Sequence, residues 1–289
     1  MRASRCIALL LAVIAAVTLA ACGGGGSTDQ TKGLSPAQIL QRARANAEAL
    51  DSYRAGLTAE VQVTGSAGLL SGPARQLLGN RLKVNGQANV SRDPDAMSLD
   101  FAIEGLPFQG NATKIGGKLY LSVLGNDLEL TIPPDQLALI RSVELAPTLV
   151  GWIRSPREVG RESIDGTKTV HLEGTLDADA VVNDVTGLLR RFPALVPSQA
   201  EIETARRQIH SALRKNTAEV WVGTGDLRPH RVRVTLALAG RLAVLPGISA
   251  ASLDLTADLS RFDEPVQITA PANPRPVSPS ELLGVLGIG

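Results

Sequence analysis

The chain has 289 residues, and its 29 lysines and arginines are balanced by 28 aspartates and glutamates, for a formal net charge of +1. This balance provides no basic surface of the kind that nucleic acid requires, so no nucleic-acid partner is expected. Hydrophobic residues make up 44% of the chain and aromatic residues only 3%, so any core must be aliphatic.

The first 21 residues have the pattern of a secretory signal peptide. Arg2 and Arg5 precede an uninterrupted apolar run over residues 7–16, and small residues follow it. This run is too short for a stable bilayer-spanning helix, which needs about 20 apolar residues. Residues 1–21 are therefore predicted to direct export and to be removed.

A cysteine stands immediately after this segment. The four residues 19–22, LAAC, resemble the bacterial lipobox, in which cleavage leaves the cysteine first and its thiol carries a diacylglycerol. Cys22 is therefore the predicted lipidation site, and the alternative is a plain secreted protein with a chance cysteine. The glycine-rich residues 22–33 are expected to form a flexible tether. Cys6 is lost with the signal peptide, so the mature chain can form no internal disulfide.

The folded region is expected to begin at residue 34 with a helix. Ser35 is a suitable N-cap, Pro36 occupies the first helical position, and Gln38 completes a capping box. The helix carries a narrow apolar stripe at helical spacing. Its members are Ile39, Ala43, Ala47 and Leu50.

Strict alternation of apolar and polar residues then predicts half-buried antiparallel strands. The clearest segments are 55–65, 81–91, 97–105, 117–123, 168–176, 218–224, 229–239 and 252–262. Helical patterns occupy the middle of the chain, at about 134–152, 178–191 with Asp177 as N-cap, and 199–215. The predicted fold class is α+β, with one antiparallel sheet whose apolar face is covered by helices.

Two long connections, 66–80 and 240–252, are punctuated by glycine yet rich in leucine, valine and isoleucine. They could fold back and pack, or they could form apolar rims around an opening. Residues 271–289 are a proline-rich tail that either docks on the body or frays.

The sequence holds no recognisable catalytic or metal-binding constellation. It lacks a G-x-S-x-G turn, and His171, His210 and His230 do not have the spacing of a zinc site. We therefore predict no enzymatic activity and no cofactor or metal. A curved sheet capped by helices encloses an aliphatic space that could be either a ligand cavity or a solid core, and the periodicity alone does not distinguish them.

Several segments, in order, resemble the LppX/LprAFG lipoproteins of actinobacteria. After the lipobox come the helix-to-strand opening at residues 39–65, the strand IGGKLYLSV at 115–123, and the turn, strand and helix of VGRESIDGTKTVHLEGTLDADAV at 159–181. The closing strands at 218–236 and 259–271 complete the likeness. It covers most of residues 34–270, which are expected to form a single domain.

This resemblance implies a U-shaped antiparallel half-barrel with helices across its concave apolar face, similar to the carriers of the Lol system. It also implies a hydrophobic cavity for the acyl chains of a lipid or glycolipid, carried from the cytoplasmic membrane toward the cell envelope. The expected location is the outer face of the cytoplasmic membrane, through the lipid anchor, with a membrane transporter as a candidate partner. The longer segment 66–80, the helix at 198–215 and the C-terminal tail depart from the family pattern.

The residues expected to line the cavity come from the apolar sides of the strands and from one facing helix. They are Leu57, Val61, Val84, Leu99, Phe101, Ile103, Leu121, Val234 and Leu236 on strands, with Val181 and Val185 on the helix. Plain core packing is the alternative interpretation for these side chains. At the level of function, the alternative is a membrane-tethered sensor or assembly partner that binds a protein through the same fold.

Overall fold

The computed structural model describes residues 28–65, 81–104, 108–123, 125–130, 145–189, 198–240, 248–278 and 281. The predicted signal peptide, the lipidation site at Cys22 and the segment 66–80 lie outside the described residues. So do most of the segment 240–252, the first part of the predicted helix at 134–152, the end of the tail and the side chain of Val185.

The described chain forms four helices and twelve strands. The helices are α1 (Pro36–Glu48), α2 (Leu145–Gly151), α3 (Ala178–Leu189) and α4 (Gln199–Ala212). The strands are β1 (Ser52–Gly65), β2 (Arg81–Ser91), β3 (Ala96–Ile103), β4 (Phe108–Ile115), β5 (Lys118–Val123), β6 (Asn126–Leu130), β7 (Ile153–Ile164), β8 (Thr167–Leu176), β9 (Leu213–Gly223), β10 (Pro229–Ala239), β11 (Ile248–Ser260) and β12 (Arg275–Val277).

All twelve strands belong to one open sheet in the order β12-β6-β5-β4-β3-β2-β1-β11-β10-β9-β8-β7. Its two ends, β12 and β7, do not pair with each other, so the sheet is not a closed barrel. Neighbouring strands are antiparallel except for β12, which runs parallel to β6. The α+β class and the single antiparallel sheet with helices on it, predicted from the alternation, are confirmed.

Helix α1 covers one end of the sheet through the apolar stripe read from the sequence. The Ser35 side chain caps the first turn and Gln38 returns the hydrogen bond, which completes the predicted capping box. Ile39, Ala43 and Ala47 are fully buried. They belong to one aliphatic core together with α2 and the near ends of the central strands. At this end Tyr53 is 1% exposed, and its hydroxyl accepts a hydrogen bond of 3.4 Å from the amide of Ala146 in α2.

The folded body begins earlier in the chain than predicted, and it includes part of the tail. Residues 29–33 were assigned to the tether, but Thr31 is 2% exposed and the amide of Gln30 donates to the carbonyl of Thr224 over 2.8 Å. The ion pair of Arg161 with Asp29, 2.7 Å, holds the same segment. At the other end, residues 275–277 of the proline-rich tail form β12 and pair with β6, so this part of the tail docks on the body, which is one of the two alternatives given by the sequence.

The elements that the sequence analysis missed are those without a clean apolar alternation. Strand β7 is an outermost strand and exposes most of its side chains, and β6 has only five residues. The predicted helix at 199–215 ends earlier, at Ala212, and β9 begins at Leu213. Asn216 favours strand here because its side-chain amide exchanges two hydrogen bonds, 2.8 and 2.9 Å, with the backbone of Leu176.

Candidate ligand-binding face

The cavity-lining residues predicted on strands all lie on the same face of the sheet. Residues directly opposite each other in an antiparallel pair point to the same side, so the strand register fixes the face. In one row Leu236, Leu253 and Val61 are successive neighbours across β10, β11 and β1. The next rows contain Val234 with Val84 and Ile103, then Leu57 with Phe101, then Leu99 with Leu121. We call this side the apolar face and the other side the polar face.

Burial along the apolar face falls in the same direction on four adjacent strands. Near α1 and α2 the side chains are buried, as for Ala55 at 0% and Leu259 at 3% exposed. Further along the same strands Val61, Val84 and Leu236 are only half-buried. The apolar face therefore has a closed end under the helices and a more open end. Val234 is 3% exposed and belongs to the helix-covered core, and the half-buried Leu57, Leu99 and Leu236 pack against that core.

The two apolar connections of the sequence analysis join strands at this open end. Segment 66–80 links the end of β1 to the start of β2, and residues 241–247 link β10 to β11. The second connection is shorter than predicted, because residues 248–252 already belong to β11. The strand ends therefore bring both connections to the same end of the apolar face.

Phe101 lies between two glycines on the neighbouring strands of the apolar face. Gly86 of β2 and Gly110 of β4 are its direct partners across the sheet. A Cβ atom at Gly110 would lie 2.7 Å from Cζ of Phe101, so the ring occupies the space that a side chain would take. Gly110 thus leaves room for the largest side chain of the predicted set to lie across β4.

We expect Gly110→Ala to destabilise the protein by about 1–3 kcal/mol, because the new methyl group must displace the Phe101 ring. Gly56→Ala is the matched control, since a Cβ there would have its nearest neighbours at 4.0 Å. Urea unfolding followed by circular dichroism measures both variants. Equal stability of the two would contradict the position of the Phe101 ring.

Helix α3 lies on the apolar side of the sheet, next to the helix-covered core. Val181 packs against the helix-covered core. Asp177 caps the start of the helix, as predicted, and its carboxylate accepts a 2.9 Å hydrogen bond from the amide of Ala180. Asp184 on the same helix accepts a 2.7 Å hydrogen bond from Nε1 of Trp152, just after α2. These contacts fix α3 beside the core.

The hydrogen bond from the amide of Ala180 lowers the pKa of Asp177 below its usual value of 3.8. Burial opposes this shift, and the cation of Arg154 at 2.9 Å reinforces it. A depressed native pKa stabilises the fold above the unfolded pKa, and this contribution is lost as the pH falls through the native pKa. We expect Asp177→Ala to lower the free energy of unfolding at pH 7 by about 1 kcal/mol, the usual cost of a lost N-cap. The difference from wild type should shrink as the pH falls below 3.8. Denaturant titrations across this range would show a constant difference if the carboxylate were not the stabilising group.

The histidines all make local contacts. His171 stacks on Trp221 with ring centroids 4.2 Å apart, between the carboxylates of Glu162 and Glu219. His210 contacts Asp179, and His230 contacts Asp226. Within the described residues no group of three or more histidine, cysteine, aspartate or glutamate side chains could hold a metal ion. Among the described helices none has the length and apolarity needed to cross a membrane.

Solved structures similar to this one include mycobacterial lipoproteins. LprF from Mycobacterium bovis is 16% identical with a TM-score of 0.46, over 83% of this chain and 100% of that one. LppX from Mycobacterium tuberculosis is 16% identical with a TM-score of 0.42, over 80% and 96%. A LolA-superfamily protein from Nitrosomonas europaea is 11% identical with a TM-score of 0.26, over 82% and 96%.

LprF and LppX belong to the group of lipoproteins that the sequence resembles. No protein-family model matches the chain. No curated protein matches it either.

Proposed function

We propose that the protein binds the acyl chains of a lipid or glycolipid on the open end of the apolar face. The observation that supports this most directly is the shared fall in burial along β1, β2, β10 and β11, which leaves aliphatic side chains half-buried at one level of the sheet. Contact between these aliphatic side chains and a hydrocarbon chain removes apolar surface of both from water, which stabilises the complex. Each methylene removed from water contributes about 0.8 kcal/mol.

The lipid headgroup would remain at the open end. A polar headgroup buried without hydrogen-bonding partners costs several kcal/mol, whereas the acyl chains lose little by entering an aliphatic site. The strands β1, β2, β10 and β11 end on this side of the sheet, next to the connections 66–80 and 241–247 in the chain. The proposed lining residues are Leu57, Val61, Val84, Leu99, Phe101, Ile103, Leu121, Val181, Val185, Val234 and Leu236.

In this proposal the protein is an exported carrier with no catalytic role. Lipidated Cys22 holds it at the outer face of the cytoplasmic membrane, from which it moves the lipid toward the cell envelope. Two or more acyl chains on Cys22 would give a stable anchor, as dual lipid signals do. A membrane transporter would supply or receive the cargo. The resemblance of the sequence to envelope lipoproteins supports this role.

Native mass spectrometry of a soluble form that begins at Gly23, produced in an actinobacterial host, tests the proposal. The expected result is a discrete added mass that solvent extraction releases as a free acylated lipid. A protein that has no added mass, and that stays unbound after incubation with envelope lipids, would mean that the apolar face is a filled core. The alternative function, binding of a partner protein, would then take precedence.

A further inference from the structure

One cavity lies on the polar face of the sheet, opposite the proposed lipid site. Its volume is about 710 Å³, within the range of small-molecule sites. It crosses strands β2 to β6. Most of its lining side chains point to the polar face and are hydrophilic: Asn85, Gln87, Asp100, Gln109, Asn111, Ser122 and Asp127.

A second cavity of about 450 Å³ continues the first toward the other end of the strands. Asp100, Asn111, Ser122 and Asp127 line both cavities. The far wall of the second is formed by residues 267–271, part of the segment 261–274 that leads from β11 to β12, which we call the strap. The two cavities therefore form one elongated groove, which we call the polar cleft. The strap forms one wall of its second part.

The start of the strap is fixed to the sheet. The amide of Asp263 donates to the carbonyl of Ser52 over 2.9 Å. The Asp263 carboxylate accepts from the amide of Asp51 over 3.0 Å and pairs with Arg228. At its other end the strap enters β12, which pairs with β6. The wall of the cleft is thus held at both of its ends.

Hydrogen bonds within the polar cleft orient its side chains. Nδ2 of Asn111 donates to Oδ1 of Asp100 over 2.7 Å, and Thr113 donates to Oδ1 of Asn111 over 2.6 Å. The hydroxyl of Ser122 donates to Oδ1 of Asp127 over 2.5 Å. Two carboxylates and an amide are thereby held in fixed rotamers, which reduces the ordering cost of binding.

The lining chemistry favours one class of ligand. No lysine or arginine is among the described residues that line either cavity, so these residues offer no cation to a phosphate or carboxylate ligand. On the polar face the first cavity has four amide side chains and two carboxylates, which together supply many donors as well as acceptors. A cationic ligand would need acceptors only, and an acyl chain would need neither. A hydroxyl group both donates and accepts, which matches this mixture.

We propose that the polar cleft binds an uncharged, hydroxyl-rich glycan chain. The elongated groove suits a linear chain, and its carboxylates form the stronger, charge-assisted hydrogen bonds with sugar hydroxyls. Phe101 contributes to the cleft wall, but its ring lies on the apolar face with Gly110. Ring stacking is therefore not provided by this residue, and affinity comes from hydrogen bonds. Because the cleft and the proposed lipid site lie on opposite faces, one ligand does not displace the other.

The test uses the full-length protein, purified from membranes in a mild detergent, on a printed glycan array. The array carries short uncharged gluco-, manno-, galacto- and arabino-oligosaccharides beside uronic-acid and phosphorylated oligosaccharides, with spermidine-coated spots as a cationic probe. The expected result is binding to at least one uncharged oligosaccharide. Binding only to acidic glycans, binding only to spermidine, or no binding would overturn the proposal.

Two glutamine variants then locate the site. Gln109→Ala removes an exposed amide of the cleft, and Gln62→Ala removes an amide on the polar face of β1, outside the cleft. Isothermal titration of the best uncharged oligosaccharide should show at least tenfold weaker binding for Gln109→Ala and no change for Gln62→Ala. Equal affinities would place the glycan elsewhere. Neither variant touches the apolar face, so bound lipid in the mass spectrum should be unchanged whichever result is obtained.

Discussion

Replacing Phe101 by aspartate is expected to abolish binding of acyl lipids. Phe101 is half-buried in the apolar face, between Gly86 and Gly110. A carboxylate at this position would lie against the hydrocarbon chain without a partner, at a cost of several kcal/mol. A loss of about 3 kcal/mol corresponds to at least a hundredfold weaker affinity. Displacement of a fluorescent fatty acid from the soluble form measures the effect.

Ala102→Asp is the matched control for this prediction. Ala102 is the next residue of β3, it is exposed, and it points to the polar face. The same new charge should therefore leave lipid affinity unchanged. Thermal unfolding of both variants separates a loss of binding from a loss of folding. A folded Phe101→Asp protein that binds lipid as wild type does would remove this strand from the proposed site.

Replacing Ile39 by alanine is expected to lower the free energy of unfolding by about 2–5 kcal/mol. Ile39 is 0% exposed and belongs to the aliphatic core that α1 forms with the sheet. Removing its side chain leaves a cavity that the surrounding strands and α2 can fill only in part. Urea unfolding of the soluble form, followed by circular dichroism, gives the difference.

Gln41→Ala serves as the comparison on the same helix, because Gln41 is exposed and a surface substitution of this kind changes stability by about 0.5 kcal/mol or less. Under conditions where the Ile39→Ala protein remains folded, it should still bind lipid, since α1 covers the closed end of the apolar face. A change below about 1 kcal/mol for Ile39→Ala would show that α1 is not packed on the sheet.

The alternation of the strands was sufficient to predict the sheet and the face of each apolar residue. An antiparallel strand buried on one side must place its apolar residues at every second position, and adjacent strands must keep these positions in register. Phe101 and Val84 therefore share a face with Val234, although β10 is far from β2 and β3 in the chain. The capping box at Ser35 and the cap at Asp177 were predictable for the same reason, because each is a local hydrogen-bonding pattern.

Other features depend on contacts that leave no periodic pattern. The docking of residues 29–31 rests on single hydrogen bonds and on the ion pair of Asp29 with Arg161. Strand β12 has three residues, too few for an alternation to be read. The polar cleft was not predicted because its amides look like ordinary solvent-facing residues in the sequence, and the pairing of β2 to β6 that brings them together is not visible there.

The position of β1 in the sheet has a consequence for the order in which the chain can fold. Its first neighbour, β2, follows it directly in the sequence, but its second neighbour is β11, where Arg54 lies opposite Ser260 near the C-terminus. The strands β2 to β6 can form by successive hairpins, whereas the central pairing must wait for a long-range encounter. Pairings of this kind slow folding because the loop must close before any contact is gained. Nearly the whole chain must therefore be available before the two halves of the sheet join, and a partly synthesised or partly translocated chain leaves β1 with one open edge.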